Sequence, residues 1–185
     1  YKAFFKSGIE SFTIPHNLTK ICEMSFYKCN NLKQVVLDIN SELQIIEDNA
    51  FSNTEIKSFS IPINLEKLGI NAFSECEELK DVNFPVDSKL KVIEIGTFSY
   101  SGIEKITIPP YIIKIDEFSF LNCEELTTVE FSQDSKLQII EQKAFSGTSI
   151  EKICIPQQVT TIGRKAFSNC KELIEVEIDE DSCLE

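Results

Sequence analysis

One spacing governs this chain. The dipeptide Ile-Pro begins at residues 14, 61, 108 and 155, and cysteine stands at 29, 76, 123 and 170, so both recur every 47 residues with no insertion or deletion. Phenylalanine falls twice in each unit: Phe4, Phe26, Phe51, Phe73, Phe98, Phe120, Phe145 and Phe167 are separated by 22 and 25 residues in alternation. Each unit is therefore two turns. One half runs through Ile61, Pro62, Leu65, Leu68, Phe73, Cys76, Leu79, Val82 and Phe84, the other through Asp134, Ser135, Leu137, Ile140, Phe145, Ile150, Ile153 and Ile155. The two halves share a skeleton, so the chain holds about eight turns of one design.

Locally the same residues fit no single element. Between Ser149 and Leu173 the apolar positions Ile150, Ile153, Ile155, Val159, Ile162, Phe167, Cys170 and Leu173 match neither a helix period of about 3.6 nor a strand period of 2. They make sense as layers of a stack, because a repeat too short to bury its own apolar face must bury it against its neighbours. Segments such as Asp81–Phe84 and Lys105–Ile108 alternate inward and outward and carry β-branched or aromatic residues, which predicts short strands stacked into a parallel sheet on one face. The stretch from Ile162 to Cys170 predicts a second short strand or extended piece and then a tight helical turn that drives Phe167 inward. The fold expected is a β-rich repeat solenoid, one unit over residues 1–185, with short strands, turns or 3-10 pieces away from the sheet and no helix of ordinary length. At roughly 4.8 Å per turn the rod is about 40 Å long.

Composition narrows the partners. The 185 residues include 42% apolar ones, enough for a core. Eighteen basic against 30 acidic side chains give a net charge of −12. That balance argues against nucleic acid and anionic lipid, both of which need a positive footprint. No apolar run approaches the roughly 20 residues of a membrane span, so direct membrane insertion is not expected. The opening Tyr1–Glu10 has neither an initiator methionine nor a signal-peptide layout, and the repeat stops mid-unit at both ends, which suggests a piece of a longer protein.

The motif from Ile155 to Val176, Ile-Pro-x-x-Val-x-x-Ile-Gly-x-x-Ala-Phe-x-x-Cys-x-x-Leu-x-x-Val, resembles the BspA-like class of leucine-rich repeat found in surface proteins of bacteria and parasitic protists. The likeness covers the whole chain, and the alternating half at Asp134–Ile153 looks more like the protist members. The matching residues are all scaffold, so they specify fold and leave function open. The resemblance implies a cell-surface or extracellular module that adheres to a host or matrix protein or to a glycan. It implies no cofactor.

Seven cysteines invite a disulfide or metal reading. Cys29, Cys76, Cys123 and Cys170 share one column two turns apart, which separates neighbours by roughly 10 Å, beyond the limit of about 7 Å for a bridge. Ser7, Thr54, Ser101 and Thr148 fill that column on the intervening turns, so a small buried group with a weak hydrogen-bonding atom is expected there. Cys22, Cys154 and Cys183 fall in other columns, without a C-x-x-C or Cys/His cluster, and no metal site is expected. Cys154 points outward and should be the most reactive thiol. The one histidine, His16, has no nucleophile beside it, and no phosphate-cradling or metallohydrolase motif occurs, so no catalytic residues are assigned. Acid pairs such as Asp179 with Asp181 suggest calcium, but the column Asn40, Asp87, Asp134, Asp181 always precedes serine, which reads as an Asx-type turn or cap.

Binding candidates come from two places. The outward sheet positions include Thr13, Gln34, Ser58, Asn83, Lys105, Thr107, Glu130, Lys152 and Glu177, a polar face that grows acidic toward the C-terminal end. It is a ligand-binding face or a solvated side of the scaffold. Residues that break the repeat form the second group: Tyr100, Tyr111, Phe118 and Leu121 are apolar where other turns carry polar or small residues, and make either an exposed contact patch or a cover over neighbouring loops. Asn17, in Asn17-Leu18-Thr19, is a glycosylation sequon that matters only on a secreted chain.

Two functions of different class remain: an adhesion or protein- and glycan-binding module, or a structural stalk without a ligand of its own. An intracellular interaction scaffold is a third, since free thiols also suit a reducing compartment. Uncapped terminal turns, exposing ladder residues such as Phe4 and Leu184, predict weak end-to-end self-association.

Overall fold

A computed structural model describes residues 1–178. Fifteen strands follow one another with no helix among the described residues. They are β1 (Ser11–Ile14), β2 (Lys20–Ile21), β3 (Gln34–Leu37), β4 (Ile45–Ile46), β5 (Ser58–Ser60), β6 (Lys67–Leu68), β7 (Asp81–Asn83) and β8 (Val92–Ile93). The rest are β9 (Lys105–Ile108), β10 (Lys114–Ile115), β11 (Thr128–Phe131), β12 (Ile139–Ile140), β13 (Lys152–Ile155), β14 (Thr161–Ile162) and β15 (Glu175–Ile178). Odd strands stack on one face and even strands on another, all parallel, which makes about seven complete turns of a solenoid. Leu65, Leu79, Ile93, Leu126, Ile140 and Ile150 are fully buried members of one continuous core that runs the length of the rod.

The third side of each turn is not the helical turn expected after the even strand. It is a chain of overlapping four-residue turns built around the phenylalanine. The N–H groups of Ser25, Tyr27 and Cys29 donate to the carbonyls of Cys22, Met24 and Phe26, three residues back, and other turns repeat the scheme. The residues two before and two after the ladder phenylalanine are left-handed in every turn: Met24 and Lys28 flank Phe26 with φ of 55° and 56°, Asn49 and Asn53 flank Phe51, and Gly96 and Tyr100 flank Phe98. Two left-handed residues four apart bracket each arc, and every second N–H between them, as at Met24, Phe26 and Lys28, points along the stack axis. At all seven junctions the phenylalanine and its two left-handed neighbours therefore donate to carbonyls of the next turn, as Phe26 does to Ala50 and Tyr100 to Leu121, each at 2.8 Å. Left-handed backbone costs a side-chain-bearing residue about 1–2 kcal/mol, which explains the asparagines and glycines in these columns.

Inside this arc the eight ladder rings stack, with centroids 5.0 to 5.9 Å apart and planes within 18° of parallel. Phe26 through Phe145 are buried, whereas Phe4 in the first turn is 36% exposed; Leu184, the other terminal residue expected to be bare, lies outside the described residues. Gly69 and Gly163 stand where the chain leaves the even strand, and a Cβ there would come within 2.6 Å of the Glu47 carbonyl carbon and 2.5 Å of the Gln142 nitrogen, so close approach of the preceding turn requires glycine.

The turn after each sheet strand in the second half-unit is held by serine rather than by the preceding Asx residue. Ser41, Ser88 and Ser135 accept the N–H of Leu43, Leu90 and Leu137, each at 3.3 Å, and all three serines are buried. Asn40, Asp87 and Asp134 are exposed, and in the first of these loops the Asp38 carboxylate also accepts the Asn40 N–H at 2.8 Å. Asp181 of that column, and Asp179, lie outside the described residues.

Relief of left-handed strain and loss of core volume should have opposite signs. Tyr100→Gly is expected to leave the denaturation midpoint unchanged or raise it, by up to about 1 kcal/mol of stability. Phe120→Ala is expected to cost about 3–5 kcal/mol. Urea unfolding followed by circular dichroism reads both, and a large loss in Tyr100→Gly would contradict the account of the arc.

Candidate functional site

The sheet face is discontinuous. Neighbouring odd strands pair where they lie 23 residues apart, as in Ser11 with Gln34, Ser58 with Asp81, Lys105 with Thr128 and Lys152 with Glu175. Where the spacing is 24 the ladder is interrupted, and β7 and β9 are joined by the Glu104 N–H to the Lys80 carbonyl at 3.4 Å. The extra residue moves the strand out of hydrogen-bonding reach. At this break the face sinks into a depression of about 280 Å3 lined by Asp81, Asn83, Phe84, Lys105, Thr107 and Glu130. Four of the residues expected on the binding face, Asn83, Lys105, Thr107 and Glu130, meet here.

All nine sheet-face candidates, Thr13, Gln34, Ser58, Asn83, Lys105, Thr107, Glu130, Lys152 and Glu177, are exposed on the odd strands. Thr107 donates its hydroxyl to the Glu130 carboxylate at 3.2 Å, which fixes that carboxylate at the rim of the depression. The Lys152 ammonium is paired with Glu175, the first cause of its raised pKa, so it is less available to a ligand than Lys105. Glu130 also borders a larger open groove of about 970 Å3, whose walls include Phe131, Lys136, Cys154, Ile155 and Pro156.

The repeat-breaking quartet divides. Tyr100 and Leu121 lie on adjacent turns of the phenylalanine arc, joined by their backbone hydrogen bond. Phe118 occupies a left-handed position of the same arc with φ of 59°, half-buried, 5.8 Å beneath the Lys143 ammonium. Tyr111 stands apart, in the loop between β9 and β10, with the ammonium groups of Lys91 and Lys136 each 4.7 Å from its ring. The left-handed columns had a sequence signal that the apolar periodicity hides, namely asparagine or glycine recurring at fixed distances from phenylalanine. Asn17 is exposed in the turn after β1.

The cysteine column is a hydrogen-bonded ladder. Cys29, Cys76, Cys123 and Cys170 donate their thiols to the carbonyls of Phe4, Phe51, Phe98 and Phe145 at 2.9 to 3.2 Å. The hydroxyls of Ser7, Thr54, Ser101 and Thr148 lie 3.3 to 3.5 Å from the same sulfurs. Burial pushes the thiols of Cys76 and Cys123 up from an ordinary value of 9.0 to about 11. Cys154 is exposed and Cys22 half-buried, while Cys183 lies outside the described residues. Among the described residues no three His, Cys, Asp or Glu side chains are grouped to hold a metal ion, and no helix is long and apolar enough to cross a membrane.

A family model described as the BspA type leucine-rich repeat region, in six copies, matches residues 1–111 and 91–183. A leucine-rich repeat protein from Bacteroides ovatus ATCC 8483 is 21% identical with a TM-score of 0.65, over 94% of this chain and 62% of that one. One from Eubacterium ventriosum ATCC 27560 is 24% identical with a TM-score of 0.75, over 88% and 43%. The leucine-rich repeat protein of T. pallidum is 21% identical with a TM-score of 0.65, over 79% and 67%. These likenesses establish the fold, and the chain spans less than two thirds of the first and second of these structures. No curated protein matches.

The thiols set a pH dependence of known sign. An unfolded chain releases the Cys76 and Cys123 protons near pH 9, while the folded chain keeps them to about 11. The stability they contribute is fully present below about pH 9 and is lost as the pH rises through that window, by up to about 1.4 kcal/mol per pH unit per thiol. The double variant Cys76→Ser, Cys123→Ser should show a shallower decline than the parent between pH 9 and 11. Alkylation of the folded protein should label Cys154 first and leave Cys76 and Cys123 protected.

Proposed function

Because this chain belongs to the BspA-type leucine-rich repeat family, we propose that it is a non-enzymatic binding module of a cell-surface protein, adhering to a protein or glycan through its sheet face. Members of the family are often surface-associated, which supports the location. The observation that carries the reading is the depression at the β7–β9 break, where Asn83, Lys105, Thr107 and Glu130 offer an amide, an ammonium, a hydroxyl and a carboxylate within one concavity. Mixed donors and acceptors on a preformed polar surface suit a hydrogen-bonding partner, and with Thr107 and Glu130 bonded to each other the Asn83 amide and the Lys105 ammonium are left to meet one. Such a surface has no paired nucleophile and base to drive a reaction.

The rod itself favours a second reading. A phenylalanine ladder that continues through every turn makes a stiff spacer, which projects another domain without contacting a ligand.

The two separate in one assay: binding of the purified chain to immobilised matrix proteins, a glycan array and whole host cells, at low and physiological salt. Saturable binding that Lys105→Glu weakens by about tenfold or more is expected of the adhesion module. A folded chain that binds no member of the panel is a spacer.

A further inference from the structure

The loops that lead from the odd to the even strands form an edge of the rod, and this edge carries apolar side chains in consecutive turns. Ile39 between β3 and β4 is 95% exposed, Ile63 between β5 and β6 is 49%, and Val86 between β7 and β8 is 75%. In the next loop, between β9 and β10, Tyr111 and Ile113 are both more than a third exposed. At the spacing of stacked strands these four loops span roughly 15 Å, the length of about five extended residues. Elsewhere the rod's exposed positions are mostly polar, and an aliphatic column at Ile39, Ile63 and Val86, continued by exposed apolar residues in the next loop, is not needed by the core, which is complete without it.

Charge along the stripe is uneven. Its Ile39 end is flanked by Asp38, Glu42 and Glu66. Its Tyr111 end carries Lys89, Lys91 and Lys136, against Asp87 and Asp134 in the same loops. Lys91 and Lys136 come from the turns before and after Tyr111 and both rest on its ring, while Lys89 donates to the Asn64 side-chain oxygen at 3.2 Å. Among the described residues none of these three lysines forms an ion pair. Against the two aspartates the three lysines leave a small positive excess, which in a chain of net charge −12 lies at one end of an apolar stripe. Tyr111, with an ammonium approaching from each side, is a poor stacking platform for a sugar ring, and aliphatic side chains find no complement on a glycan.

We propose that this edge docks an extended peptide whose aliphatic side chains lie on Ile63 and Val86 and whose acidic residues meet Lys89, Lys91 and Lys136 beside Tyr111. The site is distinct from the depression on the sheet face and stands or falls without it. The backbone of the peptide runs along the rod, crossing successive loops, so that alternate side chains face the stripe.

The test is fluorescence anisotropy with a labelled peptide of about ten residues, with Leu and Ile at alternate positions in one half and Asp and Glu in the other. Saturable binding is expected, weakened about tenfold or more both by Lys91→Glu with Lys136→Glu and by Val86→Ser, and unaffected by Lys105→Glu on the sheet face. A control peptide with Lys and Arg in place of the acids should not bind. Circular dichroism and a thermal melt establish that each variant is folded. Absence of saturable binding, equal binding of the basic peptide, or binding indifferent to the edge variants overturns the proposal. Binding of heparin alone, lost in the lysine variants, would reduce the edge to an anion patch and overturn it too.

Discussion

The fold depends on backbone polarity in the phenylalanine arc. Each arc passes three N–H groups to the next turn while the N–H groups between them close four-residue turns, and a left-handed residue at each end of the arc accompanies this arrangement in every turn. With those bonds in place the rings are held at stacking distance, and the thiols and hydroxyls beside them bond to phenylalanine carbonyls of the arc. Without the two left-handed positions per turn, the ladder of phenylalanines would have no backbone to hang on. Most such positions hold asparagine, glycine or long polar side chains, and Tyr100 and Phe118 stand out because bulky rings tolerate that backbone poorly.

A second consequence follows from unequal turn lengths. The arc and the even strands step by 22 and 25 residues, whereas the odd strands step by 23 and 24. The even side absorbs its difference in loops and keeps ladders across three and four strands. The odd side absorbs it at every second junction, so its sheet is a row of two-stranded pieces separated by breaks. A uniform repeat would give a flat polar face; the alternation supplies a concavity where side chains from different pieces converge.

Scaffold and exposed surface chemistry are thus carried by different atoms. Buried columns repeat because each turn must fit the last, and a substitution there is felt along the stack. The exposed sheet positions, the loop stripe and its lysines are free to differ from turn to turn, and they do. Lys105 lacks the carboxylate partner that Lys152 has in Glu175, and Tyr111 replaces a polar loop residue between two lysines. Such local departures give one section of an otherwise regular rod its own chemistry.

The 47-residue spacing by itself determined the solenoid, the inward set of Phe, Leu, Ile and Cys, and the outward placement of residues such as Lys105 and Cys154, because an exact period over many turns leaves stacking as the way to bury that much apolar surface. Sequence also placed the cysteines out of disulfide reach. Only the tertiary structure decided that the piece around Phe167 is a run of turns with left-handed corners instead of a helical turn, that serine rather than Asx closes the loops, and that the sheet breaks between β7 and β9. It also took Tyr111 away from Phe118 and seated it between two lysines. Those outcomes turn on backbone dihedrals and on which neighbour reaches a donor first, and neither quantity is written in the spacing of apolar residues.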